Sequence, residues 1–125
     1  SPNVTIAALE GSTSQYFVEE VLPQAKLVPT KDYDAAIKMV LDDLVDAMIA
    51  DYPICVTALF RNPGKDLISI FTTLSYEPIG IAMPLGDPHL VNWMDNALNA
   101  IEGVGKLEEL KDHWFKDPSW LNKLP

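Results

Sequence analysis

Two places in this sequence hold residues suited to binding a small charged molecule. The first is Gly11-Ser12-Thr13-Ser14, which follows the apolar run VTIAAL at 4–9. Glycine takes backbone angles denied to other residues, serine caps helices, and the N–H groups of a first helical turn attract a carboxylate or phosphate. The second is Asp51, which closes the apolar run Ala47-Met48-Ile49-Ala50. A carboxylate there suits an ammonium group. Hydroxyls and amides at one strand end and a carboxylate at a neighbouring one match the two charged ends of an amino acid. Each feature also has a plain structural reading: the Ser/Thr run as an N-cap, and Asp51 as the cap of the helix opened by Tyr52-Pro53.

Other chemistry is poorly supported. His89 and His113 are far apart and have no cysteine or histidine at metal spacing, so no metal site is read here. Asp42, Asp43 and Asp46 lack the spacing of a calcium loop and read as a solvated helix end. There is no G-x-S-x-G, no G-x-x-x-x-G-K-[ST] and no G-x-G-x-x-G, so neither a nucleophile elbow nor a nucleotide cofactor is indicated. Cys55, the single cysteine, lies among apolar neighbours and reads as a buried, inert thiol. Trp93, Trp114 and Trp120 are expected to pack the C-terminal helices rather than stack on a ligand.

The elements that would position these residues follow from periodicity. Val4 to Leu9 suits a buried parallel strand. Ser14 to Leu22 places Phe17, Val18, Val21 and Leu22 on one helical face before Pro23. Ala25 to Val28 is a second strand, expected to end at Pro29. Asp32 or Asp34 caps a helix with Ile37, Val40, Leu41, Leu44 and Val45 at i, i+3, i+4, i+7 and i+8. Ala47 to Ala50 is a third strand, and a helix runs from Tyr52-Pro53 to about Phe60. Leu67 to Thr73 and Ile79 to Met83 read as two further strands, Leu90 to Glu102 and Lys106 to Phe115 as two last helices, and 116–125 as an irregular tail. Alternating strands and helices predict an α/β fold: an open, mainly parallel sheet of about five strands flanked by helices, with two helices at the C-terminus. In such sheets ligands bind beyond the carboxyl ends of the strands, where Gly11–Ser14 and Asp51 both fall.

The chain's 125 residues are 48% hydrophobic, enough for a real core. A formal charge of −9, from 18 acidic and 9 basic side chains, argues against nucleic acid or an anionic membrane as partner. No apolar run is long enough to cross a membrane, and any targeting segment is expected to lie upstream.

Four stretches together carry a resemblance: GSTSQYF at 11–17, LVDAMIAD at 44–51, YEPIGIAMPLGD at 76–87 and VNWMDNALNAIEGVGKLEELKDHWF at 91–115. In this order they resemble the family 3 extracellular solute-binding proteins, the periplasmic amino-acid receptors of ABC importers. The family fold, the type II periplasmic-binding-protein fold, has two α/β lobes that close on the ligand by a hinge motion. The resemblance covers the second lobe and the C-terminal part, with no counterpart of the first lobe before Val4. It implies a division into second-lobe residues 1–85 and C-terminal residues 86–125 that would pack on the first lobe.

The same resemblance implies that Ser12 and Thr13 bind the ligand's α-carboxylate, with Gly11 and Ser14 in the same turn, and that Asp51 binds its α-amino group. The carboxylate-gripping arginine of the family belongs to the first lobe; Arg61, the single arginine here, does not replace it. Members usually carry glycine where this chain has Asp43, and aspartate is expected to keep that left-handed turn. The implied function is extracytoplasmic, periplasmic binding of an amino acid for ABC import, by half of a cleft and therefore weakly. The implied partners are a small-molecule ligand and a membrane permease. Without the first lobe, the last two helices are expected to fold onto their own lobe or against a second copy in a homodimer. No cofactor and no catalysis are implied. The alternatives are the sensing domain of a histidine kinase or other receptor and, less supported, an enzyme on the same fold.

Overall fold

A three-stranded parallel sheet in the order β2-β1-β3 organises the first part of the chain. The computed structural model describes residues 3–70, 72, 74–77 and 79–123. These fall into two compact units, Ser1–Phe71 and Thr72–Pro125.

In the first unit the order is β1 (Thr5–Leu9), α1 (Thr13–Val21), β2 (Lys26–Thr30), α2 (Tyr33–Leu41), β3 (Ala47–Met48) and α3 (Tyr52–Arg61). Ala7 pairs with Val28 on one side of β1 and with Met48 on the other. Both faces of β1 are covered. Ala7 clusters with Ala36 of α2 and Val45, with Val28, Met39, Val40 and Met48 packed around them. Ile6 and Ala8, which alternation turns to the opposite face, are also buried, as is Val18 of α1. Continuous burial is the mark of a parallel strand between helix layers, and it explains why VTIAAL is apolar throughout rather than alternating.

Pro29 does not end β2; it sits inside it, opposite Ala8. The Lys26 N–H donates to Val4 O, so the even-numbered amides of β2 face β1 and position 29 points away from the sheet. A missing N–H costs nothing on that free edge. The amino end of the sheet is closed by Asp46: its Oδ2 accepts from the Thr5 N–H at 2.7 Å and the Thr5 hydroxyl at 2.6 Å. These bonds hold the Asp46 carboxyl below its ordinary value.

Helix α2 ends earlier than the periodicity through Leu44 and Val45 suggests. Asp42 is its C-cap and Asp43 turns left-handed, with φ 55°. The Asp43 N–H donates to Val40 O and the Leu44 N–H to Met39 O, the two bonds of a Schellman motif. Aspartate therefore occupies the left-handed turn, as the resemblance leads one to expect. Val45, beyond the turn, is buried as expected, but as the lead-in to β3 rather than as helix.

The sheet has three strands among the described residues where about five are expected. Residues 67–70, 72 and 79–83 form no ladder; Phe71 and Thr73 of the expected 67–73 strand lie outside the described residues. Along 67–70 burial alternates, with Leu67 and Ser69 half-buried while Ile68 and Ile70 are 87% and 81% exposed. The period is that of a strand, but a strand also needs a hydrogen-bonding neighbour, and the described residues supply none. Ile79, 98% exposed, and Ile81 are in the same position in the second unit.

The second unit contains α4 (Pro88–Gly103), α5 (Lys106–Phe115) and a 3₁₀ turn over Pro118–Lys123, within the tail expected to be irregular. The two helices touch each other, and no described residue of either is buried. Trp114 and Trp120 do pack together, with ring centroids 5.2 Å apart and the Trp120 Nε1–H donating to Trp114 O at 3.1 Å. Trp93 does not join them as expected: it is 63% exposed.

The left-handed turn at Asp43 yields a sharp test. Asp43→Gly should raise stability by up to about 1 kcal/mol, and Asp43→Val should lower it by about 1–2 kcal/mol, because a β-branched side chain fits that region worst. Urea unfolding of the three proteins measures both.

Candidate ligand site at the carboxyl edge of the sheet

The strand order places the loops after β1 and β3 at a switch point. From β1 the chain crosses to β2 on one side, and from β2 it returns to β3 on the other. Connections diverging from adjacent strands leave a crevice at their carboxyl ends. Gly11–Ser14 lines the β1 side and Asp51 the β3 side, with β1 and β3 at neighbouring-strand spacing of about 5 Å.

The turn after β1 is built from its own side chains. Gly11 adopts φ +73°, which a glycine tolerates without strain. Its N–H donates to Gln15 Oε1 at 2.7 Å, and Gln15 Nε2 donates onward to Glu19 Oε1 at 2.8 Å. Ser12 is the N-cap of α1: its Oγ accepts from the Gln15 N–H at 3.2 Å and donates to Leu9 O at 2.7 Å. The structural role of Ser12 is thus realised in full, and its hydroxyl must release Leu9 to donate to a ligand. Ser14 is buried at the second helical position, where its N–H has no hydrogen-bond partner among the described residues.

Asp51 behaves differently. It occupies the N-cap of α3, with φ −62° and ψ 150°, yet its side chain caps nothing. The caps Ser12, Asp32 and Asp87 all accept a backbone N–H. Among the described residues the exposed Asp51 carboxylate forms no hydrogen bond or ion pair. The opening of α3 rests instead on the Asp51 carbonyl, which accepts from Ile54 and Cys55 N–H, and on Pro53 in the first turn, which has no N–H to satisfy.

Sequence reasoning missed the neighbours of Asp51. Tyr33, the first residue of α2, is half-buried at the carboxyl end of β2. Burial, then the nearby Asp51 and Cys55, push its phenol up from the ordinary value. Cys55 is half-buried, its Sγ directed at Ala50 O at 3.6 Å and hydrogen-bonded with Ser69; burial pushes the thiol up, so it stays protonated, in line with an unreactive cysteine. The available signal for Tyr33 was its place directly after the Asp32 cap, at the same sheet edge as Gly11 and Asp51.

The opposite edge offers less. A shallow recess of about 540 Å³ lies among Val40, Leu41, Asp43, Val45, Asp46, Lys65, Asp66 and Leu67, at the end of the sheet that the Thr5–Asp46 bonds close. No group of three or more potential metal ligands gathers among the described residues.

No protein-family model matches the chain. Its curated relatives include the glutamine-binding protein of an ABC transporter from Bacillus subtilis, 25% identical over 112 residues that make up 90% of this chain and 40% of that protein. Among solved structures, a lysine complex of an ABC-transporter binding component from Wolinella succinogenes superposes with a TM-score of 0.84 and 32% identity over 98% of this chain and 52% of the other. The chain is a relative of the amino-acid-binding proteins of ABC transporters. A third match, an ancestral amino-acid-binding protein described as a precursor of cyclohexadienyl dehydratase, has a TM-score of 0.70 at 31% identity, over 92% of this chain and 47% of the other. The fold is accordingly that of the type II periplasmic-binding proteins, and the chain spans about half the length of the relatives it matches. No described helix is long and apolar enough to cross a membrane.

The contrast between the two caps is measurable. Ser12→Ala should cost about 1 kcal/mol of stability, since it strips a working cap, whereas Asp51→Ala should change stability by less than about 0.5 kcal/mol. Thermal or urea unfolding compares them.

Proposed function

We propose that this chain is the second-lobe half of an extracytoplasmic amino-acid-binding protein that serves ABC import. The observation that carries the proposal is the uncapped Asp51 carboxylate at the switch point, on the same sheet edge as the helix start at Gly11–Ser14. In this reading Gly11, Ser12, Thr13 and Ser14 take the α-carboxylate and Asp51 takes the α-ammonium group. The ligands named for the relatives, glutamine and lysine, are amino acids with polar side chains. Residues 1–85 form the lobe itself, and 86–125 form the part that packs on the other lobe. The site works by binding and closure, with the closed form read by a membrane permease, and with no covalent chemistry and no cofactor. Its place of work is periplasmic or otherwise extracytoplasmic.

With one face open to water, each charged contact is screened and worth little, so affinity in this chain alone is low. Titration with L-lysine, L-arginine and L-glutamine, followed by backbone amide shifts, should give saturable changes confined to 11–14 and 50–52 at millimolar ligand. Asp51→Ala should remove them. Shifts elsewhere only, or wild-type binding by Asp51→Ala, would overturn the assignment.

Within their own units, Ile68, Ile70, Ile79, Trp93 and Val104 are exposed. Apolar surface of this kind supports association, here of this chain with a second copy of itself. Light scattering should show an apparent mass that rises from monomer towards dimer with concentration; a concentration-independent monomer would count against the homodimer.

A further inference from the structure

The proposed ammonium subsite has a second wall. Strands β2 and β3 flank β1, so their carboxyl ends lie two strand spacings apart, about 10 Å. Asp51 stands after β3, and Tyr33 stands after β2 with its backbone fixed by the Asp32 cap, whose Oδ1 accepts the Ala35 N–H at 2.7 Å. A tyrosine side chain is long enough to cover most of that gap. After burial, Asp51 and Cys55 both act electrostatically on the phenol, in keeping with the three residues sharing this edge of the sheet. Among the described residues neither the Tyr33 hydroxyl nor the Asp51 carboxylate has a hydrogen-bond partner, although Tyr33 is half-buried. The third member, the Cys55 thiol, is protonated and already bonded to Ala50 O and Ser69.

One free carboxylate on the same sheet edge as an aromatic ring and a neutral thiol suits a monovalent organic cation. The carboxylate supplies the charge, and the ring face supplies a weakly hydrated attraction that a phosphate, a carboxylate or a neutral amide does not share. We propose that Tyr33 contacts the same ligand ammonium group as Asp51 and sets the site's preference for amino acids with a free α-amine. The proposal rests on the amino-acid-binding reading above and adds a residue from a third strand end to it.

The test uses the whole chain and L-lysine, with Nα-acetyl-L-lysine as the amine-blocked control. Tyr33 ring resonances should shift with the same midpoint as those of Asp51, and the blocked ligand should shift neither. Tyr33→Phe, which keeps the ring, should hold the midpoint within about threefold. Tyr33→Ala and Tyr33→Leu should each raise it about tenfold. Circular dichroism on each variant confirms that it is folded. If Tyr33→Leu binds like the unaltered chain, the residue serves only as apolar filling and the proposal falls. If L-lysine moves 11–14 and Asp51 but leaves Tyr33 unmoved, the proposal falls while the amino-acid reading stands. If L-lysine moves none of them, both fall.

Discussion

Ala7 and Ala8, wholly buried side by side in β1, set the constraint from which the rest of the first unit follows. A central parallel strand must bury both faces, so it carries no polar side chain at its buried centre, and its residues must be small where helices cross close above it. Alanines at 7 and 8 let α2 lie against one face and α1 against the other, with Ala36 and Val18 as the answering contacts. Because β1 is central, the chain must leave its carboxyl end in one direction and return on the other side. That necessity makes a switch point at the sheet edge where Gly11–Ser14 and Asp51 stand.

The two sides of that switch point are held by different means. The β1 side is self-supporting: Gln15 reaches back to the Gly11 N–H, and the Ser12 hydroxyl is used both as donor and as acceptor. The β3 side leaves its charge unused, with Pro53 and the Asp51 backbone opening α3 in place of a side-chain cap. An unsatisfied carboxylate at the surface costs little while water solvates it, so such a group can be kept free for a ligand without weakening the fold. The comparison of the caps separates a side chain used by the fold from one left unused, which their residue types do not, since serine and aspartate are both ordinary caps.

Much of this was legible in the residues. The period of 3.6 in 37–41, the apolar run at 4–9 and the turn glycine at 11 specify local structure through sterics and burial, and these elements form where expected. Pro29 misled because whether proline interrupts a strand depends on which way its missing N–H would point, and that is a property of the sheet edge. The stretches 67–70 and 79–83 misled for a related reason. Their alternation and β-branched residues are genuine strand signals, but pairing is a contact with another segment, and propensity says nothing of whether that segment is at hand.

By itself, then, the sequence determined what local sterics and periodic burial can determine: the helices, the three short strands, and the presence of one anion-friendly turn and one well-placed carboxylate; the left-handed turn at Asp43 was expected only from the family resemblance. The tertiary structure decided what depends on relative placement. It put β1 in the middle of the sheet, so that residues 11–14 and 51, some forty positions apart, stand after neighbouring strands on one edge. It also used up the Ser12 hydroxyl, left the Asp51 carboxylate free and brought Tyr33 to the same edge. The physical reason is that a hydrogen bond or a charge interaction belongs to a pair of groups at a distance, and only the folded chain sets that distance.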